Sequence, residues 1–240
     1  MNIKAFKTEF IKIVKCFFLW LVLGIIVGLI CGGVGALFAK SISFVTDFRF
    51  SNRWVLFLLP FLGLLSVLIY KLLGVTDIGT NQVFEAVQSD KKLPVLLAPA
   101  IFAASVITHL CGGSAGKEGA ALQLGGSISG VVSKIFHLDE GKRHILTLCG
   151  MAALFSAIFG TPLGACVFAL EAACVGYIYS SALFPTLISS ITAFLVSTSL
   201  GIKPENFKLG NIPAFELSTL WKVVLIAVIG AVVGVIFCNT

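Results

Sequence analysis

The chain has 240 residues, of which 58% are hydrophobic and only 12% are charged, and its mean hydropathy is +1.05. Soluble domains carry about 25% charged residues, so this composition excludes an ordinary soluble enzyme or binding module and points to a chain that crosses a bilayer repeatedly. The net charge of +6 would suggest nucleic acid in a soluble protein; in a membrane chain it reads as a positive-inside signal, and nucleic acid is not an expected partner.

Residues 1–14 form a short, partly amphipathic lead carrying Lys4, Lys7 and Lys12, followed directly by Lys15. These lysines place the N-terminus in the cytoplasm, where they can touch anionic lipid. The first long apolar run covers 17–39. It is too long for the h-region of a signal peptide and no A-x-A site follows it, so it reads as a retained first helix. Apolar segments then follow at about 54–73, 95–111, 119–136, 145–159, 162–175, 180–200 and 219–238. Several are shorter than a full crossing, and glycine or proline is expected to interrupt them at Gly112–Gly113, Gly125–Gly126, Gly160–Thr161–Pro162 and Pro185. Broken helices survive at membrane depth where their freed backbone groups face protein or a wet cavity. In transporters they bring helix ends to an ion site near the midplane.

Two polar connections stand out, 74–94 and 203–218, and HLDEGKRH at 137–144 reads as a short charged loop. The last residues lie in an apolar run with no polar tail, which is the pattern expected of a cut chain or of the first half of a longer protein.

The cysteines are Cys16, Cys31, Cys111, Cys149, Cys166, Cys174 and Cys238. No C-x-x-C pair occurs among them, which argues against zinc and against a disulfide framework; buried small hydrophobes are expected. No cofactor motif is found. H-E-x-x-H, G-x-S-x-G and paired aspartates on neighbouring helices are all missing, so enzyme chemistry has no support in the residues.

The stretch GGSAGKEGAALQLGGSISG, 112–130, sets Lys117 and Glu118 among glycines and small residues. A phosphate-loop reading fails on spacing. That loop needs four residues between its glycines and then Lys-Ser/Thr, whereas three separate Gly112 from Gly116 and Glu118 follows Lys117. The alternative is a helix that starts just after Gly116. Helix N-termini carry unpaired N–H groups and partial positive charge, and small residues let an ion come close. Glu118 in the first turn would be held by the same amides that attract a free anion, so carboxylate and anion compete for one place. Protonation would release the carboxylate, making it both gate and proton carrier. The plainer reading is that Glu118 caps the helix or pairs with Lys117.

Gly116-Lys117-Glu118-Gly119, followed by a small-residue helix with Gln123 and Gly125–Gly126, resembles the CLC family of chloride channels and proton-coupled anion antiporters. The family signature is Gly-Lys/Arg-Glu-Gly-Pro, with the glutamate as gate. An earlier family signature, Gly-Ser-Gly-Ile-Pro, lies about forty residues before it at another helix start. Gly79-Thr80-Asn81-Gln82-Val83 stands at that distance, with Thr80 on the anion-binding serine. LAPAIFAASVITHL between the two, and GTPLGACVFALEAA after them, also fit; the resemblance spans about 15–238 and is strongest over 77–175. It implies an all-α membrane protein of tilted, broken and re-entrant helices, one half of an inverted repeat, within a domain over 15–240. It further implies transport of chloride or fluoride, coupled or not to protons, by a homodimer with one pore per subunit. Gly79, Thr80, Asn81, Gly116, Lys117, Gly119 and Ala120 would form the anion site, and Glu118 the gate.

The departures are specific. Ala120 stands where the family has proline, and the first signature lacks its second glycine and its proline, which would let Asn81 reach the ion path. Ala172 stands where some antiporters carry an inner proton-transfer glutamate. THLCGGSAGKEG is similar to a bacterial branch that exchanges fluoride for protons, but that branch often has methionine at the position of Thr80. Three further residues are possible pore-lining groups: Phe84, as pore wall or core; His109, as relay or helix-packing residue; and Glu171, in a segment read as buried, as ion-path or structural group. Lys117 would add positive potential to the approach. The alternative function is a membrane fragment or assembly subunit that keeps the fold without a complete pore.

Overall fold

The computed structural model describes residues 3–75, 79–89, 91–173, 179–203 and 216–239, with side chains from Glu9 onward. Every regular element among them is helical: α1 (Ile3–Ser51), α2 (Leu59–Leu72), α3 (Asn81–Gln88), α4 (Leu97–Leu110), α5 (Lys117–Ile135), α6 (Glu140–Phe159), α7 (Pro162–Ala173), α8 (Ser180–Ser199) and α9 (Leu220–Asn239), with 3₁₀ turns at Arg53–Leu58 and Leu217–Thr219. Five stretches among the described residues are long and apolar enough to cross a membrane: Glu9–Ser51, Arg53–Leu72, Glu140–Phe159, Ser180–Ser199 and Leu217–Asn239. The chain forms two units, 1–205 and 206–240. The described part of the second is the short 3₁₀ turn and α9, whose apolar side chains are exposed all round within that unit, as those of a lipid-facing span are.

In the first unit α6 is the central helix, with neighbours α1, α5, α7 and α8. It is less apolar than α1 and far more deeply buried. A helix sheltered by protein needs little apolar surface for lipid, so small residues can line it. They let backbones touch. α5 and α6 run antiparallel and cross at Gly125 and Gly150: a Cβ on either would overlap the carbonyl of the other. α1 and α8 run side by side in the same direction. Gly24, Gly28 and Gly32, every fourth residue of α1, face Pro185–Ile188, Ser189–Thr192 and Ala193–Val196 in turn. Hydroxyls join α6 to α8, Ser156 Oγ donating to the Ser190 carbonyl at 2.9 Å and Ser189 Oγ to that of Cys149 at 3.0 Å.

Several sequence expectations need correction. The first helix is far longer than 17–39: α1 has 49 residues, about 74 Å at 1.5 Å per residue, and it takes in residues 3–14 of the expected lead. Gly125–Gly126 and Pro185 do not break their helices. The glycines sit mid-helix, where closeness to α6 and Val83 is what they provide. Pro185 is the sixth residue of α8, so near the start that little of the hydrogen-bond ladder is lost. The interruptions at Gly112–Gly113 and Gly160–Pro162 are present, Gly112 and Gly160 having φ of +75° and +71°. The connection 74–94 contains α3, formed because Gln82, Val83, Ala86 and Val87 give it one buried face. Most of the connection 203–218, and Cys174, lie outside the described residues. Cys31, Cys111, Cys149 and Cys166 are buried as expected, whereas Cys16 and Cys238 are exposed.

The charged loop at 137–144 is also shorter than expected, because Asp139 caps α6 and Glu140 already begins it. Asp139 Oδ1 accepts from the Lys142 N–H at 3.0 Å, and Oδ2 pairs with the Lys142 ammonium. The Lys142 side chain, and then its backbone N–H, hold the Asp139 carboxyl below its ordinary value. A carboxylate whose folded value is depressed adds stability that is present above its unfolded value and lost as pH falls through the folded one. We expect the thermal midpoint of the wild type to fall on acidification below about pH 4 by more than that of Asp139→Asn. Midpoint against pH for both proteins checks this; superimposable profiles would remove the role.

Candidate functional site

Two short-range breaks aim helix starts at one place. Gly79, with φ +136°, leads into Thr80, the N-cap of α3; the Thr80 side chain makes no cap hydrogen bond, so its hydroxyl is not spent on its own helix. Gly116 is the N-cap of α5 in extended conformation, and having no side chain it leaves the first-turn N–H groups uncapped from that position. The two starts touch: a Cβ added at Gly119 would come 3.1 Å from Thr80 Cγ2. Two turns further along α5, a Cβ at Gly126 would come 2.7 Å from Val83 Cγ1, so the first turn of α3 packs on α5. At its far end α3 is tied to α7 by Gln88 Nε2 donating to the Ala173 carbonyl at 2.6 Å.

Glu118 bends back over this start. Its Oε2 would be 2.5 Å from a Cβ placed on Gly116, so glycine is what lets the carboxylate lie over the helix end. The residue is exposed, Gly119 and Lys117 are half-buried, and Ala120 is buried. Asn81 is exposed at the first position of α3. Thus the geometry brings together Gly79, Thr80, Asn81, Gly116, Lys117, Glu118, Gly119 and Ala120.

The remaining sequence candidates are placed differently. Phe84 is half-buried and packs on the hydrophobic core. The His109 ring Nδ1 lies 2.8 Å from the Ser105 carbonyl of its own helix, and the His109 carbonyl accepts from Arg49 Nη1 at 2.8 Å, which is a helix-packing arrangement. Glu171 corrects the expectation of burial: it is exposed on α7, because Ala165, Cys166, Ala169, Leu170 and Ala173 take the inward face.

The structure adds residues that the sequence reading did not single out. Lys40 of α1 and Lys203 beyond α8 join Lys117 in lining a cavity of about 360 Å³, with Ser43 and Ile158. Lys40 follows the apolar run 17–39 inside α1 and Lys203 follows the apolar α8, a signal visible in the sequence. Gln82, in the first turn of α3, is 4% exposed, and its Oε1 is buried without a hydrogen-bond partner, a costly arrangement beside the Thr80 helix end.

Residues 62–240 match the family model for voltage gated chloride channels. Among similar proteins, a chloride/fluoride channel protein of Pseudomonas syringae pv. tomato is 32% identical over 92% of this chain and 49% of its own length. An H(+)/Cl(-) exchange transporter, ClcA, of Cronobacter sakazakii is 28% identical over 90% of this chain and 50% of its own length. A crystal structure of a CLC-type fluoride/proton antiporter superposes with a TM-score of 0.82 at 31% identity, covering 91% of this chain and 56% of that one. A slow cyanobacterial Cl−/H+ antiporter, at 21% identity and a TM-score of 0.69, shares the fold. The chain spans about half the length of the curated relatives it matches. With the helical membrane fold and the paired helix starts already in place, the chain belongs to the voltage-gated chloride channel (CLC) family.

Proposed function

We propose that this chain supplies one half of an anion pathway for fluoride or chloride, with protons moving in exchange, and that Glu118 is the gate. The observation that carries the proposal is the contact of the α3 and α5 starts with the Glu118 carboxylate folded over Gly116. An anion of −1 charge suits uncapped helix N–H groups. The ionised carboxylate suits them equally, so each displaces the other. A proton taken up by Glu118 removes its charge, frees the helix end for the anion, and travels with the side chain. The relatives, a chloride/fluoride channel protein and an H(+)/Cl(-) exchange transporter, support both ions and the exchange. The resemblance also supports a homodimer with one pore per subunit, and the N-terminal lysines support a cytoplasmic N-terminus.

The deciding experiment is efflux from liposomes that hold the protein carrying this chain, loaded with fluoride or with chloride, while proton movement is recorded. Anion loss above empty liposomes is expected, and the faster ion names the substrate. No flux of either ion would leave the fragment or assembly-subunit reading instead.

Lys40, Lys117 and Lys203 around one cavity would concentrate anions beside the gate. Such attraction is screened by salt. Lys40→Gln with Lys203→Gln is expected to slow efflux by about three- to tenfold at low ionic strength and by little at high. Rates measured across a salt series check this, and an unchanged salt slope would dismiss the vestibule.

A further inference from the structure

The opposite end of α5 carries a second basic cavity. Lys91 and Lys92 before α4, Lys134 and His137 at the end of α5, and Arg143 in the first turns of α6 line a space of about 240 Å³. It is far from the paired helix starts, since the 19 residues of α5 span about 28 Å. Lys91 pairs with Glu85 at 2.7 Å, and Asp139 pairs with Lys142, which is not in the lining. No carboxylate lines the cavity. Its hydroxyls are committed to backbone: Ser133 Oγ donates to the Gly130 carbonyl at 2.8 Å and Thr147 Oγ1 to that of Arg143 at 2.9 Å.

The wall is built by local geometry. α5 ends in a paired turn, the His137 N–H donating to the Lys134 carbonyl at 3.2 Å and the Leu138 N–H to that of Ser133 at 3.0 Å. His137 holds φ +48°, the left-handed position that most often takes glycine. A histidine there brings an imidazole to the cavity where glycine would bring nothing.

We propose that this cavity binds a phosphate-bearing anion. Beside the Glu85-paired Lys91, the cations of Lys92, Lys134 and Arg143 and an imidazole exceed what one monovalent ion can use, and a guanidinium matches phosphate oxygens. The volume is below the roughly 300–1,000 Å³ of a typical small-molecule pocket, which fits a phosphate group rather than a whole organic ligand. The cavity also adjoins the first turns of the Glu140–Phe159 span, the depth at which lipid headgroups meet basic side chains. An anionic phospholipid headgroup and a soluble phosphate share this chemistry.

Native mass spectrometry of the protein in micelles seeded equally with phosphatidylglycerol and phosphatidylcholine tests the first source. Inorganic pyrophosphate, added to the protein in phosphatidylcholine nanodiscs while the thermal midpoint is followed, tests the second. The wild type is expected to retain phosphatidylglycerol preferentially, or to gain midpoint with pyrophosphate; whichever arm responds names the source. Lys92→Gln/Lys134→Gln/Arg143→Gln should weaken that response by about tenfold or more. Arg53→Gln/Lys71→Gln/Lys222→Gln, which removes equal charge at exposed positions outside the cavity, should not. A wild type that responds in neither arm overturns the proposal, as does an equal loss in the two triple variants. Should the pocket triple fail to fold, the exposed single change Lys92→Gln takes its place, with Lys92→Arg expected to restore binding.

Discussion

Replacing Glu118 by glutamine is expected to abolish proton movement while anion flux continues. Glutamine keeps the size of the side chain and its reach over Gly116. It can neither carry a proton nor bring a negative charge to the α5 start. In the competition proposed here, the anion loses its rival and the proton loses its carrier. Proton flux in loaded liposomes should fall to the level of empty ones, a drop of at least about tenfold for a carrier whose titration is required. Anion flux should persist within about threefold. If proton and anion flux fall together, Glu118 is a structural cap and the exchange reading fails at this residue. If neither changes, the gate lies elsewhere. Glu118 is exposed, so the substitution leaves no unsatisfied buried group and the fold should be unaffected.

The second large effect is on stability, at the α5–α6 crossing. Helix propensity alone says that alanine for glycine inside a helix gains about 1 kcal/mol. At Gly125 the sign should reverse. A Cβ there would overlap the Gly150 carbonyl and come 3.1 Å from Leu154 Cβ; the obstacle is backbone, so no side chain can swing aside. Gly125→Ala should therefore lower the thermal midpoint, by about 1–3 kcal/mol in stability. Gly125→Val should exceed about 4 kcal/mol and leave little folded protein. Gly130, on the same helix with nothing within 4 Å of its added Cβ, is the matched control: Gly130→Ala should be neutral or stabilising. Thermal unfolding in detergent, read by size exclusion, compares the three. Equal gains at both positions would mean that α5 and α6 are not in backbone contact. The register of α5 at this crossing also sets where Gly119, in its first turn, meets Thr80.

The sequence was most legible where single residues impose a local geometry. Gly112–Gly113 and Gly160–Pro162 end one helix and start another in the structure as in the reading, because positive φ and a missing N–H act within a few residues. The same rule misled at Gly125–Gly126 and at Pro185. There the helix continues, since neighbouring helices reward closeness more than propensity penalises glycine, and a proline near a helix start breaks little. The stripe Gly24, Gly28, Gly32 was plain in the letters yet not singled out, because four-residue spacing acquires meaning only when a second helix lies along it. Asp139 carries a local signal of the opposite kind: as a capping carboxylate it makes most of the expected loop the first turns of α6.

By itself the sequence determined that this chain lives in a membrane, that helices are interrupted at Gly112–Gly113 and Gly160–Pro162, and that a carboxylate stands two residues after a glycine at one helix start. Each of these follows from composition or from chemistry between near neighbours, which the order of residues carries directly. Only the tertiary structure decided that the start of α3 meets the start of α5, that Lys40 and Lys203 gather beside Lys117, and that Glu171 faces outward while His109 serves its own helix. Those facts depend on how helices distant in sequence cross. The crossings are set by which backbones can touch, as at Gly125 and Gly150, where the absence of two side chains brings the helices together.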